Sequence, residues 1–390
     1  VYVEENGKQV KKKPDYAFYL GADVSFFLET KKPSVDIMTN QDAAFQIRRY
    51  GWNGNLKVSV LCNFTDLVIY DTSIRPSEED GNSVARVAHY HYTEYVDKFD
   101  EISRMLSYSA VVSGEFEKVF SNISVAVKKE PFDKYFLNQI QKWRFEISKD
   151  IVVGNESLNE ASLNIYVQRL INRIVFLRIC EDRNLEKYET LKNISNYNEL
   201  KTLFINADKK YNSGLFELID DEEFNISDDL IVSIFKELYY PNSCYEFSVV
   251  DPYIIGQIYE LFLEEQVIID NGTVLVKRKT EVVDAQGVVN TPKNITEIIV
   301  NKTLSSLYTG DKFEEWGDYR IADICCGSGN FLLSAFEYIV NRYIEYYVQN
   351  SLEEAIREGV LIKNGDNIYN LSYEKKCEIL HKNIWGVDVD

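Results

Sequence analysis

Two glycines separated by a single serine give the sequence its clearest binding signal. Gly327 and Gly329 flank Ser328 and follow the apolar run that starts at Ile321. Because glycine has no Cβ, the backbone is able to turn sharply at these positions and to approach a ligand closely. A helix that starts near Asn330 would point its free N-terminal amide groups at that ligand. The spacing therefore predicts a ligand-binding turn between a strand and a helix.

The glycine spacing alone leaves the ligand open. A Gly-x-Gly turn occurs in dinucleotide-dependent dehydrogenases and also in loops that bind nothing. The third glycine of the dinucleotide fingerprint is missing, and Leu332 stands in its place. No Gly-Lys-Ser/Thr follows the turn, which excludes a phosphate-binding P-loop. The residues around the glycines must therefore identify the cofactor.

The complete segment resembles motif I of the N6-adenine DNA methyltransferases, typically written Asp-x-x-Cys-Gly-Ser-Gly-x-Phe-Leu. The residues that match this motif are Asp323, Cys326, Gly327, Ser328, Gly329, Phe331 and Leu332. The resemblance implies that S-adenosylmethionine is the cofactor and that this turn binds it. It also implies a Rossmann-like methyltransferase domain, which the strand, the turn and the helix would open.

Two further segments resemble motifs of the same methyltransferases. Residues 385–390 resemble motif II, in which an acid at the end of the second strand holds the ribose hydroxyls, and Asp388 has the matching place. A carboxylate suits this role because it accepts hydrogen bonds from two hydroxyl groups. A solvated strand end is the alternative. Thr291 and Pro292 match the Tyr-Thr-Pro motif that packs over the cofactor, whereas Asn290 replaces its tyrosine.

The motif that performs the methyl transfer is missing from the sequence. In these enzymes an Asn-Pro-Pro-Tyr or Asn-Pro-Pro-Phe segment binds the adenine amino group and stacks on the flipped base. No such segment occurs in the 390 residues. The chain starts with Val1, and its last residues read as the end of a strand. We therefore expect it to be part of a longer protein and not to methylate DNA by itself.

A second group of residues has the types that metal-dependent phosphodiester cleavage needs. Asp15 begins one predicted strand, and Glu29 and Lys31 lie two apart on the next, hence on one face. Carboxylates hold a divalent ion, and a lysine orients or activates the attacking water. Gln46 and Tyr50 share one face of a predicted helix. The whole set resembles the PD-(D/E)xK nucleases of the RecB-like branch.

This second resemblance implies a Mg²⁺ site at Asp15 and Glu29. It implies catalytic roles for these two residues, for Lys31 and for Gln46. The alternative is a charged sheet edge with solvated side chains, a common protection against edge-to-edge pairing.

The elements that must position these residues form a small α/β unit. Apolar runs on both sides of the turn at residues 21–22 predict a hairpin, and further strands follow a helix. We assign residues 1–86 to a nuclease-like domain. The predicted hairpin strands, helix, two later strands and polar linker are residues 16–20, 24–29, 42–50, 56–61, 67–70 and 74–83.

The rest of the chain divides into two regions. In the middle, apolar residues recur every three and four positions, which predicts several helices. Segments 167–183 and 255–263 resemble connector helices of type IIG enzymes, and we favour a packing role for both. We assign residues 87–265 to a helical connector and 266–390 to the N-terminal part of a methyltransferase domain. Its predicted helix, strand, helix and strand are residues 295–307, 319–325, 330–347 and 384–389.

Composition limits the partners and the location. Hydrophobic residues make up 45% and charged residues 27% of the sequence, as in ordinary globular proteins. No run of about 18 apolar residues occurs, so no membrane span is predicted. We expect no signal peptide and a cytoplasmic location. The net charge of −19 excludes a uniformly basic surface, but a local basic stripe suffices for DNA binding.

Together these features favour a bifunctional restriction-modification protein similar to the type IIG enzymes. The resemblance implies a DNA endonuclease that uses Mg²⁺ and a site-specific N6-adenine methyltransferase that uses S-adenosylmethionine, both acting on double-stranded DNA. A phage-exclusion methyltransferase without nuclease activity and a dinucleotide-dependent oxidoreductase are the alternatives. The expected fold class is α/β: a PD-(D/E)xK nuclease-like domain, a helical connector and the start of a Rossmann-like domain.

Overall fold

The structure is a computed structural model of the chain. It divides into two units, Val1–Ile254 with Glu265–Lys279 and Ile255–Glu264 with Thr280–Asp390. The predicted turn at 21–22, the segment 287–290 before Thr291 and residues 389–390 of the motif II segment lie outside the described residues. The residues that the structure describes are 2–5, 8–11, 13–20, 23–121, 131–154, 159–212, 214–217, 224, 226–251, 253–270, 272–279, 291–365 and 368–388.

A five-stranded sheet opens the first unit, after a hairpin of β1 (Tyr2–Glu5) and β2 (Lys8–Lys11). In the sheet β4 and β5 are parallel, and the other neighbouring pairs are antiparallel. Because parallel strands need a crossover connection, helix α1 (Gln41–Asn53) lies between them in sequence. The strands, in their order across the sheet, are β3 (Tyr16–Leu20), β4 (Asp23–Thr30), β5 (Val58–Cys62), β6 (Asp66–Asp71) and β7 (Arg86–His91).

The predicted strands and helix of this region are confirmed, with shifts at their ends. The last strand, β7, was not predicted, because its sequence mixes basic, apolar and histidine residues without a clear alternation. It forms because β6 offers it a partner, with Leu67 opposite Tyr90. The sheet therefore continues across residue 86, the boundary expected from sequence.

Helices cover both faces of the sheet. Successive residues of a strand point to opposite faces, so Phe27 packs with Ile47 of α1 while Phe26 packs with Phe116 on the other side. All four side chains are buried. The helices on the second face are α2 (Phe99–Leu106), α3 (Tyr108–Val112) and α4 (Glu115–Ser121).

A hairpin and four helices complete the first unit. The hairpin lies within this unit, although its sequence falls in the range expected for the methyltransferase domain. Asn164 holds it by exchanging two hydrogen bonds of 2.8 Å with the backbone of Val267. The elements are α5 (Phe132–Gly154), α6 (Glu160–Asp182), α7 (Tyr197–Tyr211), α8 (Asp228–Lys236), β8 (Glu265–Asp270) and β9 (Thr273–Arg278).

A buried arginine organises the end of α6. The Nη1 atom of Arg178 lies 2.6 Å from Oδ1 of Asp182, and its guanidinium lies over the ring of Tyr239 at 4.3 Å. The other carboxylate oxygen of Asp182 accepts a 2.7 Å hydrogen bond from the amide of Phe247. Tyr239 donates a 2.6 Å hydrogen bond to Glu181. Arg178 therefore pairs with an acidic residue of its own helix.

The second unit contains a parallel pair of strands, in which Ile321 is opposite Ile384. The hairpin of β11 and β12 is antiparallel. Helix α9 (Tyr253–Glu264) belongs to this unit from Ile255 onward. The other elements are α10 (Lys293–Leu304), a 3-10 helix (Gly310–Asp318), β10 (Ile321–Asp323), α11 (Asn330–Asn350), α12 (Leu352–Arg357), β11 (Leu361–Gly365), β12 (Ile368–Leu371), α13 (Tyr373–Asn383) and β13 (Ile384–Gly386).

Aromatic side chains form the core of the second unit. Tyr308, Trp316 and Tyr343 are buried together. The amide of Asn383 donates 2.8 Å hydrogen bonds to the carbonyls of Trp316 and Tyr319, which fixes the start of β13 beside the segment before β10. Because carboxyl ends of parallel strands meet at one edge, the loops after β10 and β13 lie side by side.

The structure shortens both predicted strands of this unit to three residues, because the chain turns immediately after the paired positions. Its predicted helices are confirmed. No helix in the described part of the chain has a stretch long and apolar enough for a bilayer crossing.

Replacing Arg178 by methionine is expected to lower the free energy of unfolding by about 3–5 kcal/mol, because Asp182 would remain buried without its cation. Urea denaturation measures the change. The control is Arg169→Met on the same helix, since Arg169 is partly exposed, and a change within about 0.5 kcal/mol is expected there. Equal losses in the two variants would contradict the role given to Arg178.

Candidate functional site

Asp15 and Glu29 meet at the start of the β3–β4 hairpin. The register that pairs Tyr16 with Leu28 brings the backbone amide of Asp15 within 3.2 Å of Oε2 of Glu29, to which it donates a hydrogen bond. The backbone amide and the hydroxyl of Thr30 each donate a 2.8 Å hydrogen bond to Oδ2 of Asp15. Glu29 is only 3% exposed. Two carboxylates therefore lie together at one end of the sheet.

Lys31 joins the carboxylates to helix α1. Its Nζ donates to Oε1 of Glu29 at 2.9 Å and to Oε1 of Gln46 at 2.8 Å. The amide of Gln46 donates in turn to the hydroxyl of Tyr50 at 3.4 Å. Burial, followed by the charges of Glu246 and Glu29, raises the pKa of Tyr50, so its hydroxyl stays protonated at neutral pH. The structure thus brings together all five residues of this predicted set.

The donor chemistry of this cluster fits a hard divalent cation. Mg²⁺ prefers oxygen ligands and is commonly held by one or two carboxylates together with water. Asp15 and Glu29 supply two such carboxylates. Within the described residues, no group of three or more His, Cys, Asp and Glu side chains converges in a way that holds a metal. The remaining ligand positions would therefore fall to water, backbone or substrate oxygens.

The glycine turn of the second unit has the conformation that its residue types require. Gly327 and Gly329 have φ angles of 50° and 80°, in the left-handed region that costs other residues about 1–2 kcal/mol. The amide of Gly327 donates a 2.8 Å hydrogen bond to Oδ2 of Asp388. Asn330 then starts α11. The predicted strand, turn and helix are confirmed.

Backbone hydrogen bonds beyond the paired strands hold the two loops together. The amide of Val387 donates to the carbonyl of Asp323 at 2.9 Å, and the amide of Cys326 donates to the carbonyl of Val387 at 3.1 Å. Burial, and then the charges of Asp388 and Asp323, raise the pKa of the Cys326 thiol, so it stays neutral. The structure therefore brings together Asp323, Cys326, the glycine turn and Asp388.

Thr291 and Pro292 form the third predicted motif of this unit. They precede α10, and the Thr296 hydroxyl lies 3.4 Å from the carbonyl oxygens of both residues. A cavity of about 380 Å³ borders the same helix, and Asp323 and Phe331 contribute to its lining. Neither Thr291 nor Pro292 is among the described residues that line it.

A sequence comparison relates the chain to a known protein. Over 399 aligned residues, the chain is 42% identical to RM.Eco57I of Escherichia coli, a type II restriction enzyme and methyltransferase. The chain is thus similar over its whole length to part of a restriction enzyme and methyltransferase. The alignment covers 100% of the chain and 39% of the relative. No family profile and no solved structure matches the chain.

The match confirms the resemblance to restriction-modification enzymes that the motifs indicated. Three contacts in or beside the two clusters were missed from sequence. Thr30 binds Asp15, and the Arg49 Nη2 atom lies 3.3 Å from a carboxylate oxygen of Glu246. Glu260 accepts hydrogen bonds from the glycine turn. The last two contacts join residues far apart in sequence, and no local pattern signals them.

Arg48 and Arg49 are adjacent basic residues of α1, and both have partners inside the first unit. Arg48 is buried and pairs with Asp80 at 2.8 Å. Arg49 donates to the carbonyls of Cys244 and Tyr245 at 3.1 and 2.6 Å. Both guanidinium groups serve the interior of the first unit, so this pair does not form part of an exposed basic stripe.

Gly386 gives a test of how closely the cofactor loops pack. A Cβ at this position would lie 2.6 Å from Cδ1 of Leu332 and 3.1 Å from Sγ of Cys326. We expect Gly386→Ala to lower the free energy of unfolding by about 1–3 kcal/mol through overpacking, as measured by urea denaturation. Gly310→Ala is the matched control, because its Cβ would meet nothing closer than 3.8 Å. An unchanged stability of Gly386→Ala would refute the close contact.

Proposed function

We propose that this chain forms the nuclease and cofactor-binding parts of a bifunctional restriction-modification protein. That protein cuts DNA as an endonuclease and methylates adenine N6 at specific sites with S-adenosylmethionine. One observation carries the proposal: a chain that matches a restriction enzyme and methyltransferase over its whole length assembles two separate clusters, one suited to each chemistry.

We propose that the nuclease-like domain has a PD-(D/E)xK arrangement. In support, Glu29 lies near the end of strand β4 and Lys31 comes directly after it. Gln46 and Tyr50 lie on the crossover helix α1. We assign residues 1–86 to this domain. We propose that β7 and the three helices on the second sheet face complete it, because they share its buried core.

The proposed cleavage uses the first cluster. When bound, Mg²⁺ supplies charge stabilisation to the scissile phosphate and lowers the pKa of a coordinated water. Asp15 and Glu29 hold the ion. Lys31 orients the attacking water with its Nζ, and Gln46 keeps this amine in place through its 2.8 Å hydrogen bond. Thr30 fixes the Asp15 carboxylate with two donors.

Glu29→Ala in the full-length protein is expected to abolish Mg²⁺-dependent cutting of double-stranded DNA, because one of the two carboxylates is lost. Lys31→Ala is expected to slow cutting by about a hundredfold, the scale of a lost water-activating group. The rate of plasmid linearisation measures both effects, and chelation of Mg²⁺ should stop cutting by the wild type. The control is Glu78→Ala, which removes an exposed carboxylate.

Far-UV circular dichroism and thermal unfolding report whether each variant is folded. Equal cutting by Glu29→Ala and the wild type would remove the nuclease assignment. It would favour the phage-exclusion methyltransferase, in which the first unit is a DNA-binding or partner-binding scaffold. The relative's name as a restriction enzyme favours the nuclease.

We propose that the second unit opens a Rossmann-like methyltransferase domain whose glycine turn binds S-adenosylmethionine. The turn brings the N-terminus of α11 to the ligand, and Asp388, whose Oδ2 is held by the amide of Gly327, accepts hydrogen bonds from the ribose hydroxyls. Asp323 and Cys326 fix the base of the turn. From their match to the Tyr-Thr-Pro motif, we propose that Thr291 and Pro292 pack over the cofactor. The transfer step itself needs an Asn-Pro-Pro-Tyr segment, which these 390 residues do not contain.

Asp388→Asn in the full-length protein is expected to weaken S-adenosylmethionine binding about tenfold or more, since hydrogen bonds to a charged acceptor are lost. Isothermal titration calorimetry with S-adenosylmethionine and with NAD measures this. Asp318→Asn is the control, because Asp318 is exposed in the same unit. Tight binding of NAD, without binding of S-adenosylmethionine, would instead favour the dinucleotide-dependent oxidoreductase.

A further inference from the structure

A carboxylate from a distant helix reaches into the glycine turn. Glu260 lies on α9 and is partly buried. Its Oε1 atom accepts a 3.0 Å hydrogen bond from the hydroxyl of Ser328, which sits between the two glycines. The same atom lies 3.4 Å from the side-chain amide of Asn330, which donates to it. One oxygen of Glu260 therefore holds the turn and the first residue of α11 at the same time.

The surface of α9 is shaped to receive this turn. Gly256 precedes Glu260 by four positions, so the two residues share one face of the helix. A Cβ at Gly256 would lie 2.9 Å from Oδ1 of Asn330 and 3.2 Å from both Cβ and Oγ of Ser328. Only a residue without a side chain lets the helix approach this closely. The hydrogen bonds of Glu260 are thus part of a fitted contact.

Glu260 is partly buried, and the hydrogen-bond donors of the turn stabilise its charged form. Burial raises the pKa of Glu260, and the hydrogen bond from Ser328 lowers it in opposition. No Lys, Arg or His among the described residues forms an ion pair with Glu260. The carboxylate lies beside the N-terminus of the 21-residue helix α11, where the helix dipole favours negative charge. Compensation therefore comes from the turn itself.

A turn of this composition needs an external constraint. Gly327 and Gly329 are glycines, and glycine has more backbone freedom than any other residue type when nothing fixes it. A turn that is already fixed in its binding conformation loses less entropy when a ligand arrives, which strengthens binding. The buried core around Tyr308 and Trp316 does not include Glu260. Loss of Glu260 should therefore affect the turn more than the fold.

We propose that Glu260 is a positioning residue for the cofactor: it holds Ser328 and Asn330 so that the turn keeps its S-adenosylmethionine-binding conformation. This inference rests on the proposed methyltransferase function of the second unit. Glu260 acts through the two residues that it binds and not through the reacting atoms. Its loss weakens cofactor binding and leaves the chemical step unchanged.

The test is a double-mutant cycle on cofactor affinity. Calorimetric titration of S-adenosylmethionine into the full-length protein is carried out for the wild type, Glu260→Ala, Ser328→Ala and the double variant. We expect Glu260→Ala to raise Kd for S-adenosylmethionine about tenfold. The double variant should bind no more weakly than the weaker of the two single variants, because both changes break the same contact. In methylation assays KM for S-adenosylmethionine should rise while kcat stays within about twofold.

Two further variants separate positioning from stability. Glu260→Gln keeps an oxygen that accepts hydrogen bonds, so it should restore most of the affinity lost in Glu260→Ala. Gln257→Ala, which shortens a partly exposed side chain of the same helix, should leave Kd unchanged. Thermal unfolding should give all variants the same Tm within a few degrees. If Glu260→Ala does not fold, Kd for S-adenosylmethionine is instead compared between Glu260→Gln and the wild type, at high and at low pH.

The outcomes are distinguishable. If the wild type binds S-adenosylmethionine and Glu260→Ala binds it equally well, the positioning role is wrong and the proposed function stands. Fully additive losses in the double variant would also overturn it, because Glu260 would then act independently of Ser328. If the wild type does not bind S-adenosylmethionine at all, the proposed function fails and this inference fails with it.

Discussion

Moving a carboxylate out of water is unfavourable unless donors or a cation replace the lost solvent. Glu29, at 3% exposure, meets this constraint through the amide of Asp15 and the amine of Lys31. Lys31 then needs its own partner, which Gln46 supplies from α1. The positions of β3, β4 and α1 are thus tied to the compensation of one charge. The same arrangement leaves two carboxylates side by side, which is the basis of the cation site proposed above.

The same requirement recurs elsewhere and joins segments that are far apart in sequence. Asp182 is compensated by Arg178 and by the amide of Phe247. Glu246 is 1% exposed and is held by Arg49 of α1. In the second unit, Glu260 finds its donors in the glycine turn. In a chain with a net charge of −19, acidic residues therefore serve as much to connect elements as to keep the surface soluble.

Local patterns in the sequence were enough for most elements and for the members of each cluster. Strands β3 to β6, helix α1 and the strand–turn–helix around Gly327 follow from residues close in sequence. Strand β7 depends on the free edge of β6, which no local pattern encodes. Glu246 and Glu260 were missed for the same reason: a lone glutamate on an apolar segment reads as solvated until its distant donors are known. Thr291 and Pro292 match a motif, and their packing over the cofactor stays a prediction.

The acceptor and the donor of the contact between Glu260 and Ser328 are synthesised at different times. The two residues are 68 positions apart, and the chain between them first returns to the other unit at Glu265–Lys279. At translation rates of ~5–20 residues per second, roughly 3–14 s separate their synthesis. Helix α9 is therefore synthesised before Ser328 and Asn330, the two residues that donate hydrogen bonds to its Glu260. The second unit is able to form only after the whole of the first unit has been synthesised, around a helix that was made before the first unit was complete.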